Sequence, residues 1–132
     1  MSYSKVIYKT RKWYIAHELL CFDTNTKKTG GRIKKHKLVV WENLVLIKAR
    51  SPEEAYRKAL KHGRLSEEKV EIDGEDGYCR FKGLKDLVLI YDDLEDGAEL
   101  EWHDLRLSVS ELRRTSKRKK QMQAFNVGPT RT

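Results

Sequence analysis

One passage constrains the fold of this chain more than any other: an apolar stretch at residues 38–50 that runs straight into Ser51-Pro52-Glu53-Glu54. The stretch is dense in Val, Leu and Ile, which fit a pleated and half-buried surface, so it reads as a strand. Ser51 fits a helix N-cap, Pro52 fits the first helical position, and Glu54 fits the far side of a capping box. Both glutamates also sit where the positive end of the helix dipole favours them. Ala55, Tyr56, Ala59 and Leu60 then recur at helical spacing as one apolar stripe. His62-Gly63 supplies the expected stop, giving a helix of about 52–62. The strand itself is apolar on both sides. Val39, Trp41, Val45, Ile47 and Ala49 share one face; Leu38, Val40, Leu44 and Leu46 share the other. Such a strand is central in its sheet, bulged near Glu42-Asn43, or covered on one face by a partner.

The flanking segments supply the rest of a sheet. Residues 13–22 open with aromatics, contain no Gly or Pro, and read as a strand. Alternation puts Trp13, Ile15, His17, Leu19 and Cys21 on one face, which is the expected core face, and Tyr14, Ala16, Glu18, Leu20 and Phe22 on the other. Residues 23–37, centred on Gly30-Gly31, form a long loop, and loops of that length are functional or disordered. Residues 70–73 and 78–81 suggest a hairpin around Gly74-Glu75-Asp76-Gly77. Residues 84–91 and 98–107 suggest two more strands joined by the polar turn at 92–97. The order β-β-α-β-β-β predicts an α+β domain: a mainly antiparallel sheet of about five strands with one capped helix on a face. That domain covers residues 1–112. Residues 113–132 read as a basic C-terminal tail, helical near 110–123.

Charge is segregated along the chain. Residues 1–50 hold 12 Lys/Arg against 3 Asp/Glu, residues 51–112 hold 9 against 17, and residues 113–132 hold 7 against none. The sequence is therefore basic, acidic, basic, a pattern that can attract a polyanion or let opposite faces of two copies meet. No apolar run reaches the roughly 20 residues that span a bilayer, and residues 1–12 lack the apolar core of a signal peptide. Cys21 and Cys79 do not make a disulfide framework, and reduced thiols in a cytoplasm are expected.

Several pieces of sequence resemble a known family. Trp13-Tyr14-Ile15-Ala16 opens one strand, Trp41-Glu42-Asn43-Leu44-Val45-Leu46-Ile47-Lys48-Ala49 forms the next, and Ser51-Pro52-Glu53-Glu54-Ala55-Tyr56-Arg57-Lys58-Ala59 starts the helix. Together with Phe81-Lys82-Gly83-Leu84-Lys85-Asp86-Leu87 and the acidic turn at 92–97, they resemble the small bacterial domain of unknown function family 4288 over residues 12–107. The resemblance implies a stand-alone bacterial cytoplasmic protein. It carries no activity and transfers no catalytic residue. The basic loop and the basic tail are unlike the family pattern, which makes them the places where this protein's own role is expected.

No catalytic constellation stands out. His17 and Cys21 are four apart on one strand face, about 13 Å by strand rise, too far for one zinc ion with ligands at about 2.0–2.3 Å. The acidic turn lacks the alternating ligands of a calcium loop. Gly30-Gly31 lacks the Lys-Ser/Thr that completes a phosphate loop. No nucleophile is paired with a base, and no metal or cofactor is expected. The sharpest expectation is a non-enzymatic binding module that presents its basic loop and tail to an anionic partner, nucleic acid or an acidic protein. The contacts would come from Lys27, Lys28, Arg32, Lys34, Lys35 and Lys37 in the loop and from Arg113, Arg114, Lys117, Arg118, Lys119 and Lys120 in the tail. A second reading is an interaction or regulatory factor that acts as a homo-oligomer through its sheet, with the tail docked on a neighbour. A third is a small enzyme whose site forms at a dimer interface.

Overall fold

The fold is seen in a computed structural model that describes residues 12–24, 38–72 and 74–128. The chain divides into two units, residues 1–101 and 102–132. The first is α+β. It contains the strands β1 (Lys12–Thr24), β2 (Val40–Ala49), β3 (Glu68–Ile72) and β4 (Glu75–Leu89), with helix α1 (Pro52–Leu65) between β2 and β3. The sheet order is β2-β1-β4-β3, and every neighbouring pair is antiparallel.

The sheet has four strands where about five were expected. Residues 78–81 and 84–91 are not separate, because β4 runs unbroken through Lys82-Gly83. Gly83 has a φ of 119°, a value side-chain-bearing residues avoid. Beside it the register against β1 shifts twice, between His17 and Glu18 and between Leu19 and Leu20. Glycine here marks a bulged strand and not a turn. The strand expected at 98–107 does not form. Its alternation has no face to bury, since Leu100, Trp102, Leu105 and Leu107 are all exposed. Local bonds hold the backbone instead: Glu99 N–H donates to Asp92 Oδ2 at 3.0 Å, and Ala98 N–H to the Glu95 carbonyl at 3.0 Å.

The packed core lies on the face that looked the more polar in sequence. Tyr14 and Ala16 of β1, Ile47 and Ala49 of β2, and Ala55 and Ala59 of α1 form it, edged by Val45, Leu84, Leu87 and Leu89. Small side chains on both elements let the helix lie close to the strands. The helix runs to Leu65, past the stop expected at Gly63. Gly63 is buried, and a Cβ built there would lie 2.3 Å from the Phe81 ring. It is a packing glycine. The opposite face, expected to be the core face, also buries Ile15, His17 and Cys21. Cys21 and Cys79 are both free and buried. Cys79 pairs with Phe22 while Cys21 pairs with Arg80, so the two thiols belong to opposite faces of the sheet.

The helix start is half as the sequence suggests. Ser51 Oγ accepts the Glu54 N–H at 3.1 Å, but Glu54 Oε1 accepts from the Arg50 N–H at 3.3 Å and not from Ser51. Ser51→Ala is therefore expected to cost about 1 kcal/mol and Glu54→Ala less, as read from urea midpoints. Equal midpoints for wild type and Ser51→Ala would remove the cap from the account.

The second unit contains helix α2 (Val109–Thr115) and 3₁₀ turns at Lys119–Gln121 and Gln123–Phe125. Its capping box is complete: Glu111 N–H donates to Ser108 Oγ at 3.2 Å, and Ser108 N–H donates to Glu111 Oε1 at 3.1 Å. The Ser108 side chain first, and then its backbone N–H, hold the Glu111 carboxyl below its usual range. Every residue described from 102 to 128 is exposed. The expected continuous helix at 110–123 is thus a seven-residue helix followed by tighter turns.

Candidate functional site

Three features outside the packed core can engage something: a charged cluster around His17, the basic C-terminal segment, and the outer edge of β2.

His17 lies on β1, on the face away from α1, and only 7% of it is exposed. Its Nδ1 stands 2.5 Å from Glu42 Oε2 on β2, and its Nε2 stands 2.9 Å from Glu101 Oε1. A neutral imidazole has one donor nitrogen, so it would turn a lone pair toward one of these carboxylates. The geometry asks for imidazolium donating on both sides. Burial works against that charge, but the hydrogen bonds from His17 to Glu42 and Glu101, and then the carboxylate charges, outweigh it and raise the His17 pKa. Glu42 is held below its ordinary range first by its bond to His17 and then by Lys85, against a desolvation effect. Lys85 Nζ reaches Glu42 Oε1 at 3.3 Å, from one of the two register shifts of β4. A bulge re-aims a side chain in this way. The two carboxylates meet opposite ring nitrogens, so they do not converge on one metal ion. Among the described residues no group of three His, Cys, Asp or Glu is placed to hold one. The cluster therefore works as a clamp that ties the end of the first unit, at Glu101, onto the sheet.

A second buried carboxylate lies on the helix face. Glu18 is 0% exposed, and its Oε2 accepts from His62 Nδ1 at 2.8 Å. Its Oε1 has no hydrogen-bond partner among the described residues. The pair links β1 to α1 as a strut.

The basic residues singled out by sequence fall into two groups. Lys27, Lys28, Arg32, Lys34, Lys35 and Lys37 lie outside the described residues. Arg113 and Arg114 sit in the last turn of α2, where the negative helix end favours them. Lys117, Arg118, Lys119 and Lys120 follow, all exposed. Lys119 Nζ lies over the Phe125 ring, 5.7 Å from its centroid, within the roughly 6 Å reach of a cation–π contact. Among the described residues no carboxylate forms an ion pair with any of these six cations.

The outer edge of β2 carries no mark of a site in the sequence. A strand apolar on both faces was expected to be central, bulged near Glu42-Asn43, or covered on one face by a partner. One face, with Ile47 and Ala49, packs against α1 of the same chain. Among the described residues the strand is not central, because it ends the sheet. It is not bulged, because its register with β1 is continuous from Lys12↔Ala49 to Cys21↔Val40.

Among the described residues no helix is long and apolar enough to cross a membrane. The model of a family described as "Domain of unknown function (DUF4288)" matches residues 13–102. No curated protein and no solved structure matches the chain.

Proposed function

Since the chain belongs to the DUF4288 family of domains of unknown function, we propose its role from its own geometry: a non-enzymatic binding module whose basic C-terminal segment takes an anionic partner, with nucleic acid the favoured one. The observation that carries this reading is the state of the six cations at 113–120. They are exposed and close together, and no carboxylate among the described residues neutralises them. Such a run releases counterions from a polyanion on binding, with an affinity that depends on salt and little on sequence. The loop cations at 27–37 would add to the same attraction. Trp102 and Phe125 are exposed aromatics of the same unit and offer surfaces on which bases can stack. The two buried free thiols fit a reducing, cytoplasmic setting.

The test replaces Lys117, Arg118, Lys119 and Lys120 with Ala in the full chain. Fluorescence anisotropy with a labelled duplex and a labelled single strand, each at two salt concentrations, gives affinity and salt slope. The variant is expected to bind more weakly by a similar factor on every sequence, with the slope lower by roughly one unit per lost phosphate contact. Its thermal transition stays where it was, because these side chains bury nothing. Absence of wild-type binding at low salt would eliminate nucleic acid and leave an acidic protein as the partner class.

A further inference from the structure

We propose that β2 is a dimerisation edge: two copies pair their β2 strands antiparallel about Val45, joining two four-stranded sheets into one. The proposal stands apart from the polyanion reading and uses a different surface.

The direction of the backbone groups comes first. The Phe22 N–H donates to the Val39 carbonyl at 3.1 Å, and the Ile90 N–H donates to the Trp13 carbonyl at 2.9 Å. Odd-numbered residues of β1 therefore face β4, and even-numbered ones face β2. With an unbroken register, the odd residues of β2 bond to β1, and the even residues 40, 42, 44, 46 and 48 turn their N–H and C=O groups outward. Two contacts at the far end agree with this. Lys58 Nζ donates to the Lys48 carbonyl, and the Arg50 N–H donates to Glu54. The helix thus closes the end of the edge, while residues 40–46 stay open among the described residues.

The side chains of this edge are apolar and exposed: Val40 at 46%, Leu44 at 59% and Leu46 at 50%. An open apolar edge is a template for strand addition, and a second copy is the occupant that the charges select. Glu42 and Lys48 are equidistant from Val45. In an antiparallel pair centred there, Glu42 stands opposite Lys48 of the partner subunit, and Lys48 opposite Glu42 of the partner subunit. Leu44 then faces Leu46 of the partner subunit, and all of these are outward-bonding pairs. A shift of two residues in either direction sets Glu42 against Leu46 of the partner subunit or Lys48 against Leu44 of the partner subunit, so a charge is desolvated by a leucine and the cross-edge pairing of opposite charges is lost. One register therefore satisfies the backbone, the leucines and the charges together, with the two-fold symmetry of an isologous contact. Lys58 gives up the Lys48 carbonyl to the incoming strand, and its long exposed side chain does so readily.

Light scattering on the full chain tests this. The wild type is expected at twice the 15.5 kDa chain mass. Leu44→Lys with Leu46→Lys, and separately Lys48→Glu, are each expected to weaken dimerisation by about 100-fold or more, since like charges then meet across the edge. Circular dichroism should not change, because these side chains already face solvent. A mixing experiment isolates the register. Glu42→Lys and Lys48→Glu each place like charges opposite one another in their own dimers; Glu42→Lys also removes the acceptor of His17 and Lys85, so its thermal transition is measured first and mixing is done well below it. Mixed together they restore both opposite-charge pairs, so a heterodimer is expected where neither variant self-associates. Monomeric wild type at roughly 100 μM, a concentration at which a micromolar dimer is formed, would overturn the proposal. So would a dimer that survives all three variants, or one that dissolves when residues 113–132 are deleted. Binding to nucleic acid is measured separately, so either reading can fail alone.

Discussion

Gly63→Val should cost this domain about 3 kcal/mol, the largest single-site loss expected outside the buried charges. A mere Cβ at Gly63 already lies 2.3 Å from the Phe81 ring, inside any tolerable contact. The backbone that carries the ring is held in place. Phe81 is fixed in β4 opposite Leu20, and its N–H donates to Glu67 Oε2 at 3.0 Å. Alanine at 63 gains about 1 kcal/mol in helix propensity, which the clash is expected to exceed. The decisive measurement is a double-mutant cycle by urea denaturation. With Phe81→Ala in the background, Gly63→Ala should become neutral or stabilising, because its obstacle is gone. An unchanged penalty in that background would mean that the helix end, and not the ring, demands glycine.

His17→Gln is expected to cost about 2 kcal/mol, the value of hydrogen bonds to charged groups lost from a buried site. The penalty should also depend on pH, with a definite sign. The His17 pKa is raised on folding. Its contribution is then fully present below the unfolded value of about 6.5 and is lost as pH rises through the folded value. The Glu42 pKa is lowered, so its contribution is present above about 4.5 and fades as pH falls through its folded value. Wild type should exceed the variant most between these limits. The advantage should narrow when urea titrations are repeated near about pH 9. A difference between the two proteins that stayed flat from pH 5.5 to pH 9, on the order of these limits, would show that His17 is not held as imidazolium.

The parts of this structure that were legible in the sequence are those set by local chemistry. Ser51-Pro52 starts a helix whatever surrounds it, and the apolar runs at 13–22 and 38–50 became adjacent strands. What escaped was decided by contacts distant in the chain. Glu18 made the helix-facing side of β1 look like the solvent side, because its partner His62 lies 44 positions away. Gly63 reads as a stop until Phe81 is placed beside it. Gly83 reads as a turn until two register shifts show a bulge. The His17 clamp joins three elements, and neither Glu42 nor Glu101 carries a local sign of its role. One signal was present and went unread: Ser108-x-x-Glu111 has the spacing of a capping box, and it is the one that is fully made. Of the basic site, the run at 113–120 was visible from composition alone, since exposure is the default state of such residues.

The boundary at Glu101 separates two regimes of tolerance. In the described strands and in α1, a substitution meets ladder bonds, a packed helix or a charge clamp, and most changes carry a cost. From 102 to 128 no described side chain is buried, so no packed core there restrains the choice of amino acid. The body can therefore keep its architecture while the appended stretch is rewritten. The matched family span ends at 102, one residue beyond the clamp. For protein engineering, position 102 is accordingly the junction at which to exchange one C-terminal segment for another.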